Sequence, residues 1–162
     1  MGHNRPYNPR MHTSVFALLA MGAGACIALQ ASANGKFRQN LGSHPQFALW
    51  AMYFSIIGTI VTATVVMLMV RPAMPSVQAL RETQWWNWIG GPLGALIVLA
   101  GAALTRELGA ALFIALVVGG QLMCSLILDH YALLGLPEQS MTLGRVLGAV
   151  LVIAGVLCIK YL

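Results

Sequence analysis

The chain has 162 residues and a net charge of +5, with 59% hydrophobic residues against 8% charged. A soluble domain carries roughly 25% charged residues, and thirteen Lys, Arg, Asp and Glu (nine plus four) are too few to solvate a globule of this length. A soluble enzyme and a disordered chain are thereby all but excluded, leaving a polytopic all-α membrane protein of one compact domain.

In chain order, residues 1–13 read as an N-terminal tail and 14–162 as a single five-helix transmembrane domain. Five apolar stretches approach the ~20 residues that cross a bilayer as a helix, near 14–33, 46–70, 86–104, 108–128 and 144–160. Arg5 and Arg10 before the first stretch, and Ala31-Ser32-Ala33 after it, also fit a secretory signal. The run is long for such a signal and the sequence opens at Met1, so a retained span is expected. Pro45 suits the first turn of the second span. Pro72 and Pro75 stop that span and open the longest connection, 71–84. Trp85, Trp86 and Trp88 cluster where the third span enters, as an interfacial aromatic belt does. Cys26, Cys124 and Cys158 lie in apolar stretches without metal or CxxC spacing and read as buried small hydrophobes.

An odd number of spans puts the termini on opposite faces. Arg5, Arg10, Arg71, Arg81 and Arg145 then share one face, and Lys36, Arg38, Arg106 and Lys160 the other. The positive-inside rule acts through the difference between such counts, and five against four is almost no instruction. Either a weak preference for the N-terminus inside or insertion both ways follows, so the tail is cytoplasmic or faces either side. Insertion both ways gives an antiparallel homodimer with the inverted symmetry that transporters use. No basic run tracks a phosphate backbone, so nucleic acid is not an expected partner.

A charge in mid-span costs roughly 2.5–3.5 kcal/mol, and none falls in the middle of these stretches. A buried carboxylate exchanging protons for cationic drugs is therefore disfavoured. Polar groups recur at helical spacing instead. Gln30 and Asn34 share a face with Gly22 and Cys26; Gln121, Ser125 and Asp129 form a second stripe; Ser55, Thr59 and Thr62 form a weaker third. The first two stripes are either interhelical glue or the lining of a polar path, with Gln30, Asn34, Gln121 and Ser125 as candidate substrate ligands. The third is read as hydroxyls bonding back to their own helix. Trp88 offers an aromatic face to a substrate, beside a helix break at Gly90, Gly91 and Pro92. Asp129 and His130 at the end of the fourth span, with Arg145 as the ion partner of Asp129, are candidates for coupling or gating. Gly144, Gly148 and Gly155 share a face for close packing, within the chain or at a dimer seam. No catalytic constellation or metal cluster is present in the sequence, and no enzyme activity or cofactor is expected.

The runs Gln30-x3-Asn34, Leu41-Gly42-Ser43, Trp88-x-Gly90-Gly91-x2-Gly94, Gly120-Gln121 and Asp129-His130 resemble the YdcZ-type family. These are five-helix bacterial inner-membrane proteins of the drug/metabolite transporter superfamily. The stretch from Gly148 to Leu157 is similar to the last helix of small multidrug resistance exporters, their dimer seam. The resemblance covers about residues 14–160. It implies half of a ten-helix bundle completed by a second copy of the chain. Those exporters rely on a first-helix glutamate, where this chain has Gln30. The expected function is therefore a homodimeric secondary transporter or exporter in the bacterial inner membrane, carrying a small neutral or zwitterionic metabolite or amphipathic molecule. The alternatives are a non-transporting subunit that scaffolds a larger complex, and a passive channel.

Overall fold

A computed structural model describes residues 9–162, with side chains from residue 13 onward; Arg5 and the start of the tail lie outside the described residues, as does the side chain of Arg10. The described residues are helical with no strand: α1 Pro9–Leu41, α2 Phe47–Val70, the short α3 Val77–Arg81, α4 Gly90–Leu108, α5 Ala110–His130 and α6 Leu143–Tyr161. Five of these, α4 with the 3-10 turn Trp85–Trp88 before it, are long and apolar enough to cross a membrane. The chain is an all-α polytopic membrane protein.

The first span continues past its expected end at 33 to Leu41. Two local causes hold the helix through the Ala-Ser-Ala-Asn-Gly stretch. The Ser32 hydroxyl donates back to the Ala28 carbonyl at 2.8 Å, so it does not compete for a turn. Gly35 is pinned in a helix contact, because a Cβ there would stand 3.3 Å from Thr105 Cβ. Asn34, Lys36 and Arg38 are consequently helical residues rather than loop residues.

The other boundaries follow local chemistry. Arg71 closes α2 in the left-handed region (φ 48°), its N–H bonded to the Met67 carbonyl at 2.9 Å, and Pro72 cannot continue the helix. Ser76 caps α3, accepting from the Ala79 N–H at 3.1 Å. Gly90 and Gly91 open α4, so Pro92 falls in its first turn, where a missing N–H leaves no helical bond unmade. The change of winding lies just ahead, between the Trp85–Trp88 turn and Gly90. Gly109 alone joins α4 to α5 at φ 80°, a conformation that glycine adopts without steric cost.

Within the chain α4 is central. It packs against α1, α2 and α5, while α6 packs mainly against α5. Among the described residues the buried apolar side chains are small, namely Ala31, Ala48, Ala51, Ala102 and Ala149, with Phe113 the large exception. A Cβ on Gly101 would lie 3.2 Å from Ala31 Cβ, so α1 and α4 meet nearly backbone to backbone through Ala31-x3-Gly35 and Gly101-x3-Thr105. Hydrocarbon supplies no hydrophobic drive between helices, and such close approach is what lets dispersion and weak polar contacts hold them.

Packing is uneven along the bundle. Residues 13–27 of α1 and 57–70 of α2 are exposed throughout. The buried positions of those helices, Ala31 to Arg38 and Ala48 to Ala51, sit at the opposite end. The three cysteines are exposed on the outer faces, contrary to the expectation of burial. An apolar helix in lipid has no reason to turn its apolar side chains inward, so apolar does not imply buried here.

Candidate functional site

Two polar clusters emerge, one at each end of the bundle. The first rises from the polar stripe of α1. Asn34 is buried, and its side-chain amide donates to Ser55 Oγ at 3.2 Å, joining α1 to α2. One turn on, Arg38 is buried to 7% exposure. Its Nη1 donates to the Ala103 carbonyl on α4 at 2.7 Å and lies 3.9 Å from Glu107 Oε1. Arg38 thus fastens the last turn of α1 to the last turns of α4, where a cation also meets the negative ends of both helices. Arg38 Nε and Thr105 Oγ1 are buried beside this contact without a partner among the described residues.

The second cluster lies where α5 ends and α6 begins. Asp129 Oδ2 is 3.6 Å from Arg145 Nη1, and both side chains are about one-third exposed, at 33% and 32%. The expected ion pair is therefore present, and a loop residue joins it. Arg145 Nη1 donates to the Gln139 carbonyl at 3.2 Å, and Nη2 donates to Gln139 Oε1. The Gln139 N–H in turn donates to the Asp129 carbonyl at 2.9 Å. Thr142 caps α6 through the Arg145 N–H at 3.4 Å, setting the arginine at the helix start. Residues 131–142 are thereby folded back over the end of α5.

Below this knot runs a groove of about 410 Å³ between α5 and α6. It gathers four of the sequence candidates, Ser125, Asp129, Arg145 and Gly148, with Leu122, Leu126, Ala149 and Val152 as apolar wall. The other candidates lie elsewhere. Gln30, Trp88 and Gln121 are exposed on outer faces. Asn34 is committed to Ser55. His130 adjoins the ion pair but stacks edge-on against Tyr131, ring centroids 4.8 Å apart, with Nδ1 buried and unpartnered among the described residues. Among the described residues Gly144, Gly148 and Gly155 have no neighbour within 4 Å of an added Cβ, so no described helix packs closely on them. The hydroxyls of Thr59 and Thr62 bond back to the Ser55 and Gly58 carbonyls at 3.0 and 2.9 Å, and Ser125 to the Leu122 carbonyl at 2.9 Å. Among the described residues no group of three or more His, Cys, Asp or Glu gathers.

Sequence reasoning missed Arg38 and Gln139. A basic residue near a span end reads as a topology signal, and the clue that distinguished Arg38 was its place four residues after Asn34 on the stripe begun by Gln30. Gln139 sits in a connection without periodicity, and nothing in the sequence marks it.

Residues 15–158 match the model of the family described as "Putative inner membrane exporter, YdcZ". The inner membrane protein YdcZ of Escherichia coli (strain K12) is 35% identical over 74 residues, which cover 46% of this chain and 49% of that protein. This match thus spans about half the length of the curated relative. Among solved structures none matches the chain. A family match over most of its length, with five helices able to cross a bilayer, makes this chain a multi-pass inner-membrane protein that belongs to the YdcZ family.

Proposed function

We propose that the chain is an exporter of a small metabolite or amphipathic molecule, working as a homodimer by alternating access. The observation that carries this reading is the polar and small-residue surface left uncovered on apolar helices. The Gln30 and Gln121 side chains make no hydrogen bond among the described residues and face outward. An amide left so in hydrocarbon costs several kcal/mol, so protein or a water-filled path has to cover it. The open glycine face of α6 lets a second chain approach closely, and two chains would enclose the uncovered stripes between them. The nearly even division of cations between the two faces supports an antiparallel pair. The description of the family as exporters supports outward carriage.

Flux of candidate metabolites into inside-out vesicles carrying only this protein tests the reading. Saturable, substrate-dependent uptake is expected, with Gln30→Ala and Gln121→Ala abolishing it. Wild-type flux in both variants removes these two amides from the path, and an ion current without saturation points to a channel. Gly155→Leu, at a position where an added Cβ meets nothing within 4 Å among the described residues, should leave the monomer folded and lower the dimer fraction in crosslinking. A C-terminal reporter pair, one active on each side of the membrane, should give signal from both if the pair is antiparallel.

A further inference from the structure

The geometry points to the α5–α6 groove as a binding site for a zwitterionic amphipath, with an ammonium at Asp129, an anionic oxygen at Arg145 and an apolar tail along Leu122, Leu126 and Val152. This names the substrate class of the exporter reading and rests on it for its physiological meaning, although binding itself can be measured alone.

Three observations converge on that chemistry. First, the carboxylate is under-used. Its contact with Arg145 at 3.6 Å exceeds the 2.7–2.9 Å of a charge-assisted hydrogen bond, and no hydrogen bond reaches its oxygens among the described residues. Asp129 also lines the groove and is one-third exposed, so its lone pairs are open to a donor entering there. Second, the guanidinium is held by groups that an anion can replace. Its partners besides Asp129 are the carbonyl and side-chain oxygen of Gln139, both neutral, and an anionic oxygen makes roughly twice as strong a hydrogen bond as a neutral one. Third, the site is neutral overall but strongly dipolar. A lone cation drawn to Asp129 would meet Arg145 at nearly the same distance, and a lone anion the reverse. A ligand carrying both charges on neighbouring atoms satisfies both groups without that repulsion, so selectivity arises from the unfavourable half of each wrong ligand.

Beyond the ion pair the wall turns apolar, and Gly148 leaves open space where a side chain would otherwise project. The groove, at about 410 Å³, falls within the roughly 300–1,000 Å³ typical of small-molecule sites. Occupancy has a second effect. Taking Arg145 from Gln139 removes both side-chain hydrogen bonds that tie Gln139 to α6, leaving the Gln139 N–H on the Asp129 carbonyl of α5. Binding and loosening of the loop are therefore coupled at a single guanidinium.

Both a free solute and an aminophospholipid headgroup carry this pair of charges. The test uses the full-length protein in dodecyl maltoside and three probes of equal tail, 2-aminooctanoate, octylamine and octanoate, titrated calorimetrically at neutral pH. The zwitterion should bind at least tenfold more tightly than either single-charge probe. Asp129→Asn should weaken the zwitterion at least tenfold while improving octanoate relative to octylamine, and Arg145→Gln should do the reverse. Phosphatidylethanolamine added to the micelles weakens 2-aminooctanoate binding if the lipid headgroup competes for the site, and leaves it unchanged if a free solute is the ligand; both results support the assignment. Equal affinity for all three probes in the unaltered protein overturns it, a result that needs no variant to fold. Zwitterion binding without flux would sink the exporter reading and leave the site standing. Flux of another solute without zwitterion binding would do the opposite.

Discussion

The two ends of the bundle each hold an arginine beside a carboxylate, and they use it in opposite ways. At the α1–α4 end Arg38 is buried, donates to a backbone carbonyl, and leaves its carboxylate, Glu107, 63% exposed. At the α5–α6 end Arg145 and Asp129 are equally about one-third exposed, and the arginine grips a loop rather than a helix. The first arrangement fixes two spans against each other, because breaking it strands a charge away from water. The second can trade partners at small cost, because solvent and loop oxygens compete on nearly equal terms. The difference assigns stability to one end of the molecule and change to the other. The packing agrees, since the buried small residues of α1 and α2 all lie toward Arg38 while their other halves are exposed.

Three substitutions probe this contrast, and the strongest attacks the fixed end. Gly101→Leu drives a side chain into Ala31, whose Cβ already stands 3.2 Å from an added Cβ. It should cost about 3 kcal/mol and show as loss of the monodisperse peak in detergent; unaltered thermal unfolding would mean that α1 and α4 are not seamed there. Arg38→Ala removes a charged donor from a backbone carbonyl and should cost about 2 kcal/mol, read as a lower unfolding temperature. Arg145→Gln, at the changeable end, should alter stability by less than about 1 kcal/mol while speeding protease cleavage within 131–142. Equal destabilisation by the two arginine variants would erase the distinction between the ends.

The five spans were legible because bilayer thickness imposes a length on any apolar helix, whatever its neighbours. The Asp129–Arg145 pair was legible for a similar reason, since one acid and one base flank a single short connection on the same face. The partners of the glycines were not. Gly144, Gly148 and Gly155 have the spacing for close packing yet meet nothing within 4 Å of an added Cβ among the described residues, whereas Gly35 and Gly101 make the close approach. A small-residue face declares that a backbone can come near, but its partner depends on helix register, which is settled in three dimensions. Asn34 and Gln30 show the same limit. One turn apart on α1, they read as equals, and only the placement of Ser55 makes the first a bonded strut while leaving the second exposed.

The seam between α1 and α4 also has an entropic side. Ala31, Gly35, Gly101 and Ala102 have no rotamers to freeze, so ordering them costs next to nothing in side-chain freedom, against up to about 2 kcal/mol for each long flexible residue. Most of the bulky Leu, Ile, Val and Met of the same helices stay on outer faces, where they keep much of their motion among fluid acyl chains, while Leu99 packs against the core. The chain thus folds around the residues with least disorder to surrender, and the membrane retains the disorder of the rest.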